Sequence, residues 1–118
     1  MHARAVIVDD HAAFRASARR LLEVSGFDVV GEAADGVTGL ALARELEPEL
    51  VLLDVALPEM SGFEVAERLA DTPSKVILIS SRQQRDFGQR VRRSAAVGFV
   101  SKDELSSETL LGLLGRPS

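Results

Sequence analysis

The sequence predicts an α/β fold, a doubly wound five-stranded parallel sheet with five helices. Two observations carry this. Five short apolar runs alternate with five stretches of helical periodicity, the signature of strand–helix units joined by crossovers. The runs are apolar throughout, as strands buried on both faces are, instead of at every second residue. A length of 118 residues suits one domain, expected to span 1–118.

The first run, Ala5-Val6-Ile7-Val8, ends at Asp9-Asp10. Phe14, Ala18, Leu21 and Leu22 then recur at i, i+4, i+7 and i+8, one face of a helix that Gly26 stops. A second strand runs from Phe27 to Ala33. Asp35-Gly36 breaks it and caps a helix reaching Leu46, which Pro48 ends. Leu50-Val51-Leu52-Leu53 is the third strand, ending at Asp54. Pro58 to Gly62 is loop, and Ser61 with Glu64 forms a capping-box pattern that starts a helix near Phe63. Phe63, Ala66, Leu69 and Ala70 supply its apolar face. Val76-Ile77-Leu78-Ile79 is the fourth strand, ending at Ser80-Ser81. Phe87, Val91 and Ala95 give one face of a fourth helix, and Val97 to Val100 form a short fifth strand ending at Ser101-Lys102. Ser106-Ser107 caps a last helix through Leu110, Leu113 and Leu114, weakened by Gly112 and ended by Gly115 with Pro117.

Composition removes several functions. Apolar residues at 46% against 27% charged describe a packed chain and exclude a disordered one. The absence of Cys excludes disulfides, thiolate zinc sites and cysteine nucleophiles, and it fits a reducing, cytoplasmic location. No signal peptide is legible, and no apolar run approaches the roughly 20 residues of a membrane span, so no membrane association is expected. A net charge of −4, with no Trp or Tyr, argues against direct nucleic acid binding.

In a parallel sheet all strands end along one edge, where ligands of such folds bind. Asp9 and Asp10 follow strand one, Asp54 strand three, Ser80 strand four and Lys102 strand five. Any one of these reads alone as a cap or turn residue. Together they bring three carboxylates to one place, and these repel unless something positive joins them. One Lys does not suffice. A hard divalent cation, Mg²⁺, is the expected remainder, because it takes oxygen ligands and shares its sites with phosphate. Ca²⁺ wants more protein oxygens than this edge offers, and zinc wants Cys or a His cluster. A hydroxyl and an ammonium facing a metal-bound carboxylate are donors suited to a phosphoryl group. With twelve Arg and only two Lys in the chain, Lys102 suits a narrow pocket that a planar guanidinium would overfill. His11 is expected to start a helix or face solvent, not to bind metal. Arg82, Arg85, Arg90, Arg92 and Arg93, against Asp86 alone, make the fourth helix basic: a solvated face, or a docking surface for an acidic partner.

These residues resemble the receiver domains of bacterial two-component response regulators. The resemblance runs from Val6-Ile7-Val8-Asp9-Asp10-His11 to the last helix. It rests on the acidic pair, on Leu53-Asp54-Val55 with Pro58 and Gly62, on Ile79-Ser80-Ser81 and on Gly98-Phe99-Val100-Ser101-Lys102. Val30-Gly31-Glu32-Ala33-Ala34-Asp35-Gly36 looks most like the NarL/LuxR-type branch, whose members usually carry a DNA-binding helix-turn-helix output. No such module is legible in these 118 residues.

The resemblance implies a flavodoxin-like (CheY-like) fold with strand order 2-1-3-4-5 and a phosphorylation-controlled switch that is not a turnover enzyme. A sensor histidine kinase would phosphorylate Asp54. Asp10 and Asp54 would bind Mg²⁺ directly, helped by the Ala56 backbone carbonyl, with Asp9 acting through a metal-bound water. Lys102 would pair with Asp54 and then with the phosphoryl oxygens. Ser80 would donate to the phosphoryl group, and Phe99, otherwise a plain core residue, would turn inward as Ser80 moves. The face of helix 4, strand 5 and helix 5 would then bind a downstream protein or a second copy. Ala56 and Arg82, two residues past the acceptor and two past the hydroxyl, would tune phosphoryl lifetime in opposite directions. Asp103 stands where many relatives carry a Pro on a cis bond, which leaves the Lys102–Asp103 isomer open.

Three other classes compete. A magnesium-dependent aspartyl-phosphate phosphatase would want a second Asp at position 56, which is Ala. A phosphorylation-independent pseudo-receiver is disfavoured by the intact Asp9, Asp10, Asp54, Ser80 and Lys102 set. A flavin electron carrier would want a phosphate loop and flavin-stacking aromatics, and neither is visible.

Overall fold

The computed structural model describes residues 3–116. Five strands, β1 (Ala3–Val8), β2 (Phe27–Ala33), β3 (Leu50–Asp54), β4 (Lys75–Ser80) and β5 (Gly98–Ser101), form one sheet in the order β2-β1-β3-β4-β5. Every neighbouring pair is parallel. The helices are α1 (Ala12–Val24), α2 (Gly36–Leu46), α3 (Gly62–Arg68), α4 (Arg90–Arg93) and α5 (Ser107–Leu113). The predicted fold class, strand order and helix number all stand.

The apolar runs divide residue by residue. Val6, Val8, Val51, Leu53, Val76 and Leu78 face one layer, with Ala43 of α2, Val65 and Ala66 of α3 and Val91 of α4. Ala5, Ile7, Leu50, Leu52, Ile77 and Ile79 face the other, with Ala18 and Leu22 of α1 and Leu110 of α5. Period two within a strand sends neighbours to opposite faces, and both faces are covered, so both parities must be apolar. Edge strand β2 is exposed at Asp28 and Val30.

The fourth helix differs from its prediction. A single helix on Phe87, Val91 and Ala95 does not form. A 3₁₀ turn (Gln84–Phe87) is followed by Gly88 at φ 59° and then by only four helical residues, Arg90–Arg93. Gly88 takes a positive φ that costs other residues energy, and it resets the chain direction. Arg90 and Arg93 are i,i+3 neighbours of like charge, which weakens what helix remains. Ser94 is extended, so Ala96 packs on the core and Ala95 is exposed.

Smaller differences sit at element ends. Ala70 lies past α3 and is exposed. Ser61 accepts from the Glu64 N–H at 3.3 Å, but Glu64 Oε2 turns to Arg68 at 3.1 Å, so half of the capping box forms. Val97 stands just before β5 and is 44% exposed. Asp35 and Ser106 cap α2 and α5 through the N–H groups of Thr38 and Thr109. Gly115, at φ 72°, follows α5, and Pro117 lies outside the described residues. No peptide bond among the described residues is cis. None of their helices is long and apolar enough to cross a membrane.

Candidate functional site

The site follows from strand register. Val8 pairs with Leu53, so the next residues, Asp9 and Asp54, leave β1 and β3 side by side. Asp54 pairs with Ile79, and Ser80 pairs with Ser101, which places Ser80 and Lys102 just beyond on β4 and β5. Both central carboxylates are buried. Lys102 Nζ lies 2.7 Å from Asp9 Oδ2 and 3.3 Å from Asp54 Oδ2, bridging the two. No donor is aligned on Asp9 Oδ2 for a hydrogen bond. Charge attraction needs no such alignment, so the contact with Lys102 stands as an ion pair.

Asp9 Oδ1 accepts the His11 N–H at 2.8 Å, and Asp54 Oδ1 accepts the Ala56 N–H at 3.2 Å. Asp10 is exposed beside them. One donor atom each from Asp9, Asp10, His11 and Asp54 falls within 4.8 Å of all the others. Carboxylate oxygens this close fit a hard divalent cation.

Electrostatics set how Asp54 and Lys102 titrate. Burial, then the Asp9 charge, push the Asp54 carboxyl up from 3.8 to about 6, against Lys102 and the Ala56 N–H, which pull it down. For Lys102, burial works to lower the pKa, but Asp9 and Asp54 outweigh it and the ammonium is held above its ordinary 10.5. Its stabilising contribution therefore persists through neutrality and is lost only in strong alkali.

Asp54 gives the opposite sign. The native state binds its proton more tightly than the unfolded chain does, so the charged form costs stability. That cost is absent below about pH 3.8, grows as pH rises towards 6 and is full above it. Metal-free protein should lose on the order of 1–2 kcal/mol through this group, after discounting for solvent screening. Thermal melts in EDTA between about pH 4 and 7 check this, with Asp54→Asn expected to flatten the slope. An unchanged slope in that variant would remove Asp54 as its source.

The remaining predicted residues lie around the cluster. Ser80 is buried, and its Oγ accepts the Arg82 N–H at 3.0 Å. Ala56 is exposed at the pocket mouth. Phe99 is half-buried and packs on Phe87 (5.7 Å between centroids), which packs on Phe63 (5.6 Å), a row of rings joining β5 to α3. Arg82 reaches over Phe87 at 5.4 Å and pairs loosely with Asp86 at 4.0 Å, while Arg90 covers Phe63 at 4.3 Å.

Two residues were not foreseen at the site. Phe14, expected only as an apolar helix position, holds its ring 4.4 Å from Lys102 Nζ, a cation–π contact on the ammonium's third side. Arg15 donates from Nη1 to the Asp9 carbonyl at 2.6 Å and from Nε to Glu32 at 3.2 Å, tying the acidic turn to β2. The available signal was positional: α1 starts two residues after Asp10, so its first turn must overhang the pocket.

The family model for the response regulator receiver domain matches residues 5–113. The chain is 38% identical over 112 residues to the transcription regulator BvgA of Bordetella pertussis, covering 93% of this chain and 54% of that protein. It is 34% identical over 102 residues to the response regulator GacA of Pseudomonas aeruginosa, covering 84% and 48%. It thus spans about half the length of these curated relatives. Among solved structures, the receiver domain of NarL from Mycobacterium tuberculosis superposes with a TM-score of 0.86 at 34% identity, covering 98% of both chains. A LuxR-family response regulator from Aurantimonas sp. gives 0.84 at 31%, covering 98% of this chain and 88% of that one. A sheet whose carboxyl edge gathers Asp9, Asp10, Asp54 and Lys102, matched along nearly its whole length, belongs to the response regulator receiver domain family.

Proposed function

We propose that this chain is a single cytoplasmic receiver domain over residues 1–118, a switch thrown by phosphorylation of Asp54 from a sensor histidine kinase. The observation that carries the reading is Lys102 bridging the buried carboxylates of Asp9 and Asp54 at the mouth of an oxygen-donor cluster. In the transfer, the P–N bond of a phosphohistidine breaks, a P–O bond to an Asp54 carboxylate oxygen forms, and the imidazole leaves. Asp10, Asp54 and the Ala56 carbonyl would hold Mg²⁺ directly, with Asp9 through a water. When bound, the cation offsets repulsion between the carboxylate and the incoming phosphoryl group.

The chain's own groups then respond. Lys102 is shared between two carboxylates and turns to the new phosphoryl oxygens. Ser80 Oγ accepts from Arg82 N–H, which leaves its hydroxyl hydrogen available to donate. Ser80 moves towards the phosphoryl group, and Phe99 rotates into the space it leaves. Going from mostly off to mostly on takes several kcal/mol of preference, which two or three charge-assisted hydrogen bonds supply. The responding surface is α4, β5 and α5, which docks a downstream protein or a second copy. Ala56 leaves water a path to the acyl phosphate and Arg82 shields it. No turnover activity is assigned.

Beryllofluoride with Mg²⁺, a phosphoryl mimic, titrated into labelled protein and followed by NMR, tests the switch. Shifts should begin at residues 9–11 and 54–56 and extend through 82–105. Shifts confined to the pocket loops would mean that the pocket is not coupled to this face.

A further inference from the structure

The Lys102 ammonium has two charged neighbours and one neutral one. Nζ lies 2.7 Å from Asp9 Oδ2, 3.3 Å from Asp54 Oδ2 and 4.4 Å from the centroid of the Phe14 ring. Phosphorylation alters the Asp54 carboxylate, and a bound cation shares the charge of Asp9. The ring is untouched by either event.

The ring is also held in place. Phe14 lies in the first turn of α1, which Arg15 ties down: its N–H donates to the His11 carbonyl at 3.0 Å and its Nη1 to the Asp9 carbonyl at 2.6 Å. The ring is half-buried against the core layer that holds Ala18 and Leu22. Its contact with the ammonium is shielded from water. Arg82 and Arg90 also lie over rings, but both are exposed, whereas the Lys102 side chain is 16% exposed. A desolvated cation gains more from a ring face than one in water does. A π face has no directional lone pair, so an ammonium can shift over it while changing oxygen partners.

We infer that Phe14 is a positioning residue for phosphoryl acceptance: its ring holds the Lys102 ammonium at the pocket, in place for the phosphoryl oxygens before they arrive. The inference rests on Asp54 being the acceptor. Charge set in advance stabilises the transition state without reorganisation. Without the ring, the flexible four-carbon stem of Lys102 must be ordered afresh in each transfer.

The test replaces Phe14 alone with 3,4,5-trifluorophenylalanine, incorporated site-specifically. Fluorine draws electron density from the ring face and weakens its pull on a cation, while the ring keeps its shape and apolar character. The initial rate of phosphoryl uptake from acetyl phosphate with Mg²⁺, counted per folded molecule, should fall by about fivefold or more, with 4-fluorophenylalanine in between. Urea unfolding in EDTA should show the trifluoro ring lowering the folded-to-unfolded ratio by about fivefold in the parent and by less than about twofold in Lys102→Met. An unchanged uptake rate across the series overturns the positioning role. An equal stability loss in the Lys102→Met background also overturns it, because that marks a packing effect that needs no ammonium. If the protein with Phe14 intact takes up no phosphoryl group, the acceptor reading itself fails and the inference falls with it.

Discussion

Replacing Lys102 with Met is expected to destabilise the metal-free protein by about 3 kcal/mol at neutral pH, the low end of the cost of removing one partner of a buried ion pair. Met keeps an unbranched apolar stem against the Phe14 ring, so the loss comes from charge and not from volume. Without the ammonium, Asp9 and Asp54 face each other with no cation between them, and both are buried. The loss is limited because Asp54, already pushed up to about 6, then rises further and takes a proton instead of staying charged. The defect should therefore shrink on acidification towards pH 5, and saturating Mg²⁺ should restore part of it. Urea unfolding in EDTA at two pH values, repeated with Mg²⁺, checks this. A loss below about 0.5 kcal/mol at neutral pH would mean the carboxylates do not depend on Lys102.

Gly62→Ala should be nearly as costly for a different reason. A β-carbon there would fall on the Asp54 carbonyl oxygen, 2.8 Å from Val55 Cα and 2.9 Å from the Asp54 carbonyl carbon. All three atoms are backbone, so no side chain can rotate away. The Gly62 N–H also donates to the Val55 carbonyl at 2.9 Å, drawing the start of α3 against the end of β3. Adding a methyl group forces these apart, at about 3 kcal/mol or more. Because Asp54 sits at the collision, phosphoryl acceptance should fall further than the stability loss alone accounts for. Comparing the folded fraction with the phosphorylation rate of that fraction separates the two effects. A variant within about 1 kcal/mol of the parent would mean that α3 and β3 have room to part.

Most of the fold was legible because its strands announce themselves. Runs such as Val6-Ile7-Val8 and Leu50-Val51-Leu52-Leu53 are apolar on both parities, and only burial on both faces explains that. The acidic edge was legible for the same reason: once the strands are fixed, Asp9 and Asp54 fall into register without further information. The fourth helix was not, because its apolar spacing competes with Gly88 and a row of arginines, and periodicity carries no term for either. Phe14 and Arg15 were hidden because a helix wheel shows which face is apolar, not that the first turn hangs over a neighbouring pocket. His11 could be placed near a helix start from the sequence, but not the contacts of its ring with Asp9 and Asp10, which depend on where both carboxylates turn.

The central claim is that Asp54 is the acceptor in a cation-dependent phosphoryl transfer. Intact-mass spectrometry after incubation with a small acyl phosphate tests it most directly, with Mg²⁺ or EDTA, for the parent and for Asp54→Asn. The parent with Mg²⁺ should gain one phosphoryl group, sensitive to hydroxylamine and mapped to the peptide containing Asp54. The parent in EDTA and Asp54→Asn with Mg²⁺ should gain none. A stable phosphoryl adduct on Asp54→Asn equal to the parent's, or none on the parent with Mg²⁺ present, would contradict the account.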